Sequence, residues 1–300
     1  MSASTTFTSS RADAGWVLRL AAVPPWVWLA GPYVLLLGLA LIVPLGNLTL
    51  LSFFQYVPQT IWAPTLTVEN YQRLADGHYV NVVLRTLRIG LIATACCLVL
   101  GVPLAYWLAR CSRRVLALGL FLVVMPMMVS TVIRAFGWMI ILGRNGVINA
   151  VSVELGFGRW LSIMNTEPAV IIALVQLVLP LMVLPLMAVI EKIPVRLEEA
   201  ATTLGAGPIL LFRKVLLPLS VPGLISGSLL VFVVSISVVV TPALMGGRGS
   251  RMIGNEIYDQ VVTAINWPFA SALSVALVAL VLVILTSSLL LVRRLGSARS

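Results

Sequence analysis

Long apolar blocks separated by short polar breaks run through almost the whole chain. They lie at Trp26 to Phe54, about Val82 to Ala109, about Val115 to at least Ile133, Ala169 to Ile190, Leu219 to Val240 and Phe269 to Val292. Each holds about 20 residues or more, enough to cross ~30 Å of hydrocarbon at ~1.5 Å per helical residue. Lipid offers no water to a backbone N–H or C=O, so each block must satisfy its own hydrogen bonds as a helix. The pattern predicts an all-α polytopic membrane protein with six transmembrane helices over residues 26–292, flanked by tails at 1–25 and 293–300. The first block exceeds the ~7–15 residue core of a signal peptide and no small-x-small site follows it. It is expected to persist as a helix, interrupted at Pro44.

The breaks carry the remaining signals. Residues 55–80 are polar and turn-rich and include the sole histidine, His78, expected as solvated surface. Arg85 and Arg88 open the second block, where long stems can snorkel to headgroups. Residues 134–167 are mixed and predict interfacial helix and loop rather than another span, and 243–268 a loop. Prolines 44, 103, 126, 180, 185, 222 and 242 fall in or beside the blocks and suit a bundle that rearranges.

Composition agrees: 60% of the 300 residues are hydrophobic and 10% charged, against about 25% charged in soluble domains. The net charge of +10 is scattered between apolar runs, which encodes topology and not a nucleic-acid surface. Arg11, Arg19, Arg110, Arg113, Arg114, Lys192, Arg196, Arg213, Lys214, Arg293, Arg294 and Arg299 lie on the side of the amino terminus. Arg73, Arg144, Arg159, Arg248 and Arg251 lie opposite. Twelve against five predicts that both termini face the cytoplasm of a cell (inner) membrane. Cys96, Cys97 and Cys111 form no framework and are read as small hydrophobes.

The polar break at 191–218 stands out. Leu197, Ala200, Ala201 and Leu204 recur at helical spacing as one apolar face, with Glu198, Glu199, Thr202 and Thr203 largely elsewhere. Gly205 and Gly207 stop that helix, Pro208 restarts one, and Arg213 and Lys214 precede another stop at Pro218. Glu199-Ala200-Ala201, three residues, Gly205, nine residues, then Val215-Leu216-Leu217-Pro218 resembles the EAA loop of ABC importer permeases, with Val215 in place of Ile. Residues 132–149, Met252-Ile253-Gly254-Asn255 and Asn266-Trp267-Pro268 look like stretches of the permeases of spermidine/putrescine importers.

The resemblance implies a type I importer fold, with Glu198, Glu199, Ala200, Ala201, Gly205, Ala206 and Pro218 coupling to a cytoplasmic ATPase dimer. It also implies a second homologous permease and an extracytoplasmic solute-binding protein. ATP and Mg would sit on the ATPase, with no cofactor on this chain. Relatives of this kind also serve opines, amino-acid derivatives, phosphonates and iron. Gly223 and Gly227, four apart, fit close helix packing either within the chain or against the second permease.

No nucleotide loop, metal motif or nucleophile set is present, so the chain is not expected to be an enzyme. A gradient-driven carrier or channel is the competing class, and a membrane scaffold a third. Carriers of the first kind place acidic residues inside the membrane, and none falls within the six blocks. Solute contacts are expected from Arg134, Trp138, Glu167, Glu256, Tyr258, Asp259 and Trp267, with Glu154 and Trp160 in the same outward loops. Carboxylates and aromatic faces would suit an organic cation such as a polyamine. Arg134, Arg144, Arg159, Arg248 and Arg251 would suit a carboxylate or phosphonate.

Overall fold

The computed structural model describes residues 25–158 and 163–297, with side chains for all of these except 25–29, 248, 289 and 291–297. The chain divides into a unit ending at Leu51 and one from Ser52 onward. The first carries helix α1, Pro25–Ser52, apolar along most of its length, whose last residue falls in the second unit. The interruption expected at Pro44 does not occur: the helix runs on to Ser52. Neighbouring side chains can re-satisfy or shield a proline-freed carbonyl in a membrane helix.

The second unit opens with what the sequence suggested was plain loop. Strands β1 (Phe54–Gln55) and β2 (Ala63–Leu66) pair antiparallel, and α2 (Glu69–Leu74) follows. The buried Asn70 amide ties this corner together by donating to the carbonyls of Ser52 and Phe54, both at 2.9 Å. Helix α3, Gly77–Arg110, starts five residues before the expected Val82.

Three long helices make the core: α3, α7 (Glu167–Glu191) and α10 (Leu217–Ser237). Small residues let them meet. A Cβ placed on Gly101 would sit 2.8 Å from Met182 Cγ, and one on Gly227 2.9 Å from Met182 Sδ, so Met182 of α7 is wedged between α3 and α10. A Cβ on Gly223 would lie 3.1 Å from the Leu186 backbone. Both glycines of α10 therefore serve packing within the chain.

The third crossing departs from expectation. The apolar block at 115–133 is split: α4 covers Arg113–Met128, and α5, Thr131–Leu142, begins after a break at Val129-Ser130. Leu116 and Val123 pack with Leu108, Leu186 and Ile190, at the end of the bundle that carries the 191–218 hairpin. Ala135 and Leu142 pack with Ile89, Ala169 and Val170, at the opposite end. A single passage thus uses α4 and α5 in turn, and Arg134 and Trp138 lie within it and not in a loop. Helix α6, Val147–Glu154, follows a turn at Gly143–Gly146. Among the described residues six stretches are long and apolar enough to cross a bilayer, the third of them Thr131–Glu154 by length and composition.

The end away from the hairpin is capped by α11 (Val240–Met245) and α12 (Ile253–Val262), where a loop was expected, and by the start of α13 (Trp267–Ser297). Ile253 N–H donates to Thr86 Oγ1 at 2.9 Å and the Asn255 amide to the Val239 carbonyl at 2.8 Å, locking α12 to α3 and to the link between α10 and α11. Phe269 packs edge-on to Tyr79 at 4.9 Å, with the Arg73 guanidinium 4.4 Å above its ring.

Candidate coupling hairpin and solute pathway

After α7, Lys192 and Ile193 lead through Pro194 into α8, Val195–Thr203. Its end is a Schellman turn: Ala206 N–H donates to the Ala201 carbonyl at 3.0 Å and Gly205 N–H to the Thr202 carbonyl at 2.9 Å. Gly205 holds the left-handed position with φ +85°, which a side chain adopts only at a cost. Pro208 then opens α9, Pro208–Leu211, and residues Phe212–Leu216 form a π-helical turn into α10. Leu217 N–H reaches back five residues to the Phe212 carbonyl. The wider turn suits the sequence, because the ring of Pro218 would crowd the Lys214 carbonyl in a regular α-helix.

The orientation of α8 inverts the water-soluble pattern. Leu197, Ala200 and Leu204 are exposed, Leu204 to 88%, with Ile209 at 75% across the turn. Ala201 and Ala206 are half-buried. Glu198, expected with the coupling residues, is turned inward and buried. Its Oε1 accepts from Arg110 Nε at 2.9 Å and Nη2 at 2.6 Å, and its Oε2 from the Tyr106 hydroxyl at 2.8 Å. It is Glu198, not Glu199, that occupies the first turn of α8. Glu199 is exposed, with no ion pair among the described residues. Arg213 and Lys214 are exposed on the π-turn, and Pro218 is partly buried in the first turn of α10.

Beside the hairpin an apolar cavity of about 1000 Å³ lies between Leu98 to Tyr106 of α3, Phe212 and the first half of α10. Ser228, Ser288 and Tyr106 bring the hydroxyl groups to its lining, which is too few partners for a charged solute.

The expected solute contacts fall into separate groups. Arg134 spans the break after α4, donating from Nη1 to the Pro126 carbonyl at 2.6 Å and from Nη2 to Thr131 Oγ1 at 3.3 Å. One turn on, Trp138 Nε1 donates to Gln176 Oε1 at 2.6 Å, a partner the sequence did not reveal. At the far end Glu167 is bound by Arg88 and faces Arg85 Nε at 3.8 Å, so these arginines pair across helices and do not simply snorkel. Arg85 also donates to the Arg251 carbonyl at 3.5 Å, and Arg251 binds Asp259. Glu256 is buried, 3.7 Å from His78 Nε2, so His78 is exposed but not partnerless. Tyr258 and Trp267 are exposed, as are Glu154 and Arg144. Arg159 and Trp160 lie outside the described residues, as do most of the two tails and the side chain of Arg248. Among the described residues no three His, Cys, Asp or Glu side chains gather as metal ligands.

Comparison with known proteins agrees with this architecture. Residues 98–299 match the family model for the binding-protein-dependent transport system inner membrane component. The chain is 40% identical over 242 residues to the spermidine/putrescine transport system permease protein PotB of Escherichia coli K12, covering 80% of this chain and 88% of that one. It is 39% identical over 230 residues to PotB of Haemophilus influenzae, covering 76% and 80%. Its fold is similar to a chain of the bacterial alginate ABC transporter solved in complex with an alginate pentasaccharide-bound periplasmic protein, with TM-score 0.72, 18% identity, and 94% and 96% coverage. The chain therefore belongs to the family of binding-protein-dependent transport system inner membrane components, the multi-pass permease subunits of ABC importers.

Proposed function

We propose that the chain forms half of the translocation pathway of an ATP-driven importer for polyamines or a related small organic solute, itself without catalytic activity. The observation that carries the coupling is the outward apolar face of α8, Leu197, Ala200 and Leu204, beside the unpaired carboxylate of Glu199. A water-soluble hairpin would bury that face. Here it fits the cleft of a cytoplasmic ATPase dimer, which would bind ATP and Mg. A second homologous permease would complete the pathway and an extracytoplasmic binding protein would deliver solute. ATP would close the ATPase dimer, the hairpin would follow it, and the bundle would switch from inward-facing to outward-facing.

This reading puts the hairpin and both termini in the cytoplasm. Cysteines introduced at Ser4, Thr203 and Ser300, with the native cysteines replaced, should be shielded from an impermeant thiol reagent in intact cells, while one at Ser250 should react. Labelling at Thr203 from outside would reverse the orientation.

The polyamine assignment is supported by the names of the relatives in Escherichia coli and Haemophilus influenzae. A second reading, a carboxylated or phosphonated solute, is favoured by one observation: the far-end cations are more exposed than their partners. Arg88 is 60% exposed against 23% for Glu167, and Arg251 46% against 32% for Asp259. Competition of labelled uptake by putrescine and spermidine is the expected result. Competition by carboxylated or phosphonated compounds alone would establish the second reading and make Arg134 the first residue to replace.

A further inference from the structure

The basic cluster that ends α3 is not uniform. Arg113 and Arg114 are exposed and without an ion pair among the described residues. Arg110 faces inward, its side chain 18% exposed and that of Glu198 10%. One guanidinium holds two points of the hairpin: Nε and Nη2 grip Glu198 within α8, and Nη2 also donates to the Ile193 carbonyl at its entrance, at 2.9 Å. Tyr106, one turn earlier on α3, takes the other carboxylate oxygen. Helix α8 has nine residues, too few to persist alone in water, and its apolar face points away from the bundle.

We propose that Arg110 and Tyr106 are positioning residues of the coupling hairpin, clamping Glu198 so that α8 and the end of α3 move as one body. The proposal rests on the coupling role given above. A force applied at Glu199 and Leu204 would otherwise tilt a short helix on its two turns and be lost. Through the clamp it enters α3, which packs along both α7 and α10. A planar guanidinium fork resists rotation about the contact, as a single ammonium does not.

The test uses the complete transporter, with partner permease, ATPase and binding protein, in liposomes, comparing variants inserted to equal levels. Solute taken up per ATP hydrolysed should fall about tenfold in Arg110→Ala and in Glu198→Ala, and in the double variant by much less than the product of the two, because the Arg110–Glu198 bridge is common to both. Arg110→Lys should recover part of the ratio and Tyr106→Phe lose about twofold. Hydrogen exchange supplies a readout independent of transport: Arg110→Ala should speed exchange across 195–203 about tenfold while α7 stays protected. An unchanged uptake ratio and unchanged exchange in Arg110→Ala, or losses that multiply in the double variant, would overturn the clamp. Absence of ATP-driven uptake by the wild-type assembly would instead defeat the coupling reading, and exchange would still decide the clamp.

Discussion

Glu199→Lys should leave the chain inserted at its normal level and reduce ATP-driven uptake at least ~30-fold, since like charges brought together in an interface cost several kcal/mol and 1.4 kcal/mol is tenfold. The expectation separates two adjacent carboxylates. Glu199 is exposed and pairs with no cation among the described residues, so replacing it should change the stability of the chain by no more than ~0.5 kcal/mol. Glu198 is buried against Arg110, and its loss would disturb the hairpin itself. Uptake and insertion measured together on Glu199→Lys check the assignment. Wild-type uptake would show that the acidic residue of the motif does not meet a basic partner group.

Gly227→Val should act on the fold. Its first added carbon would lie 2.9 Å from Met182 Sδ, 3.2 Å from the Met182 carbonyl oxygen and 3.3 Å from its Cα. The sulfur could swing aside, but the backbone of α7 cannot, and valine has two further carbons to place. Overpacking of this kind costs about 1–3 kcal/mol and backbone displacement adds to it, so unfolding in detergent should shift down by ~5 °C or more. Gly137→Ala is the control. A Cβ there meets nothing within 4 Å, and alanine favours a helix over glycine by ~1 kcal/mol. Equal melting temperatures for Gly227→Val and wild type would mean that α7 and α10 do not approach as described.

The hairpin was legible in the sequence because its stops are local chemistry. Gly205 supplies the positive φ and Pro208 opens a helix, but the stop expected at Pro218 does not form: the helix widens into the π-turn and runs through Pro218 into α10. The direction in which α8 faces was not legible. Leu197, Ala200 and Leu204 of its apolar stripe turn outward with Ala201 half-buried, against the rule that such a stripe turns inward, and the inward side is instead held by Glu198. The break in the third crossing was hidden for another reason. The helix passes Pro126 and ends at Val129-Ser130, where no glycine or proline marks it, with Arg134 taking up the Pro126 carbonyl. Pairings such as Arg88 with Glu167 and Trp138 with Gln176 join residues 79 and 38 positions apart, which spacing along one chain does not express.

That long separation bears on the order of events during synthesis. In the orientation proposed above, with the hairpin in the cytoplasm, Arg85 and Arg88 would be carried across the membrane, against the usual retention of positive charge. Their neutralising carboxylate, Glu167, emerges from the ribosome 79 residues after Arg88. While α3 first threads into the bilayer it would therefore export two bare cations. Arg110 at its trailing end, with Arg113 and Arg114 just beyond, would help to hold its direction, so the cluster whose Arg110 is proposed to brace the hairpin would first act as a brake on an inverted insertion.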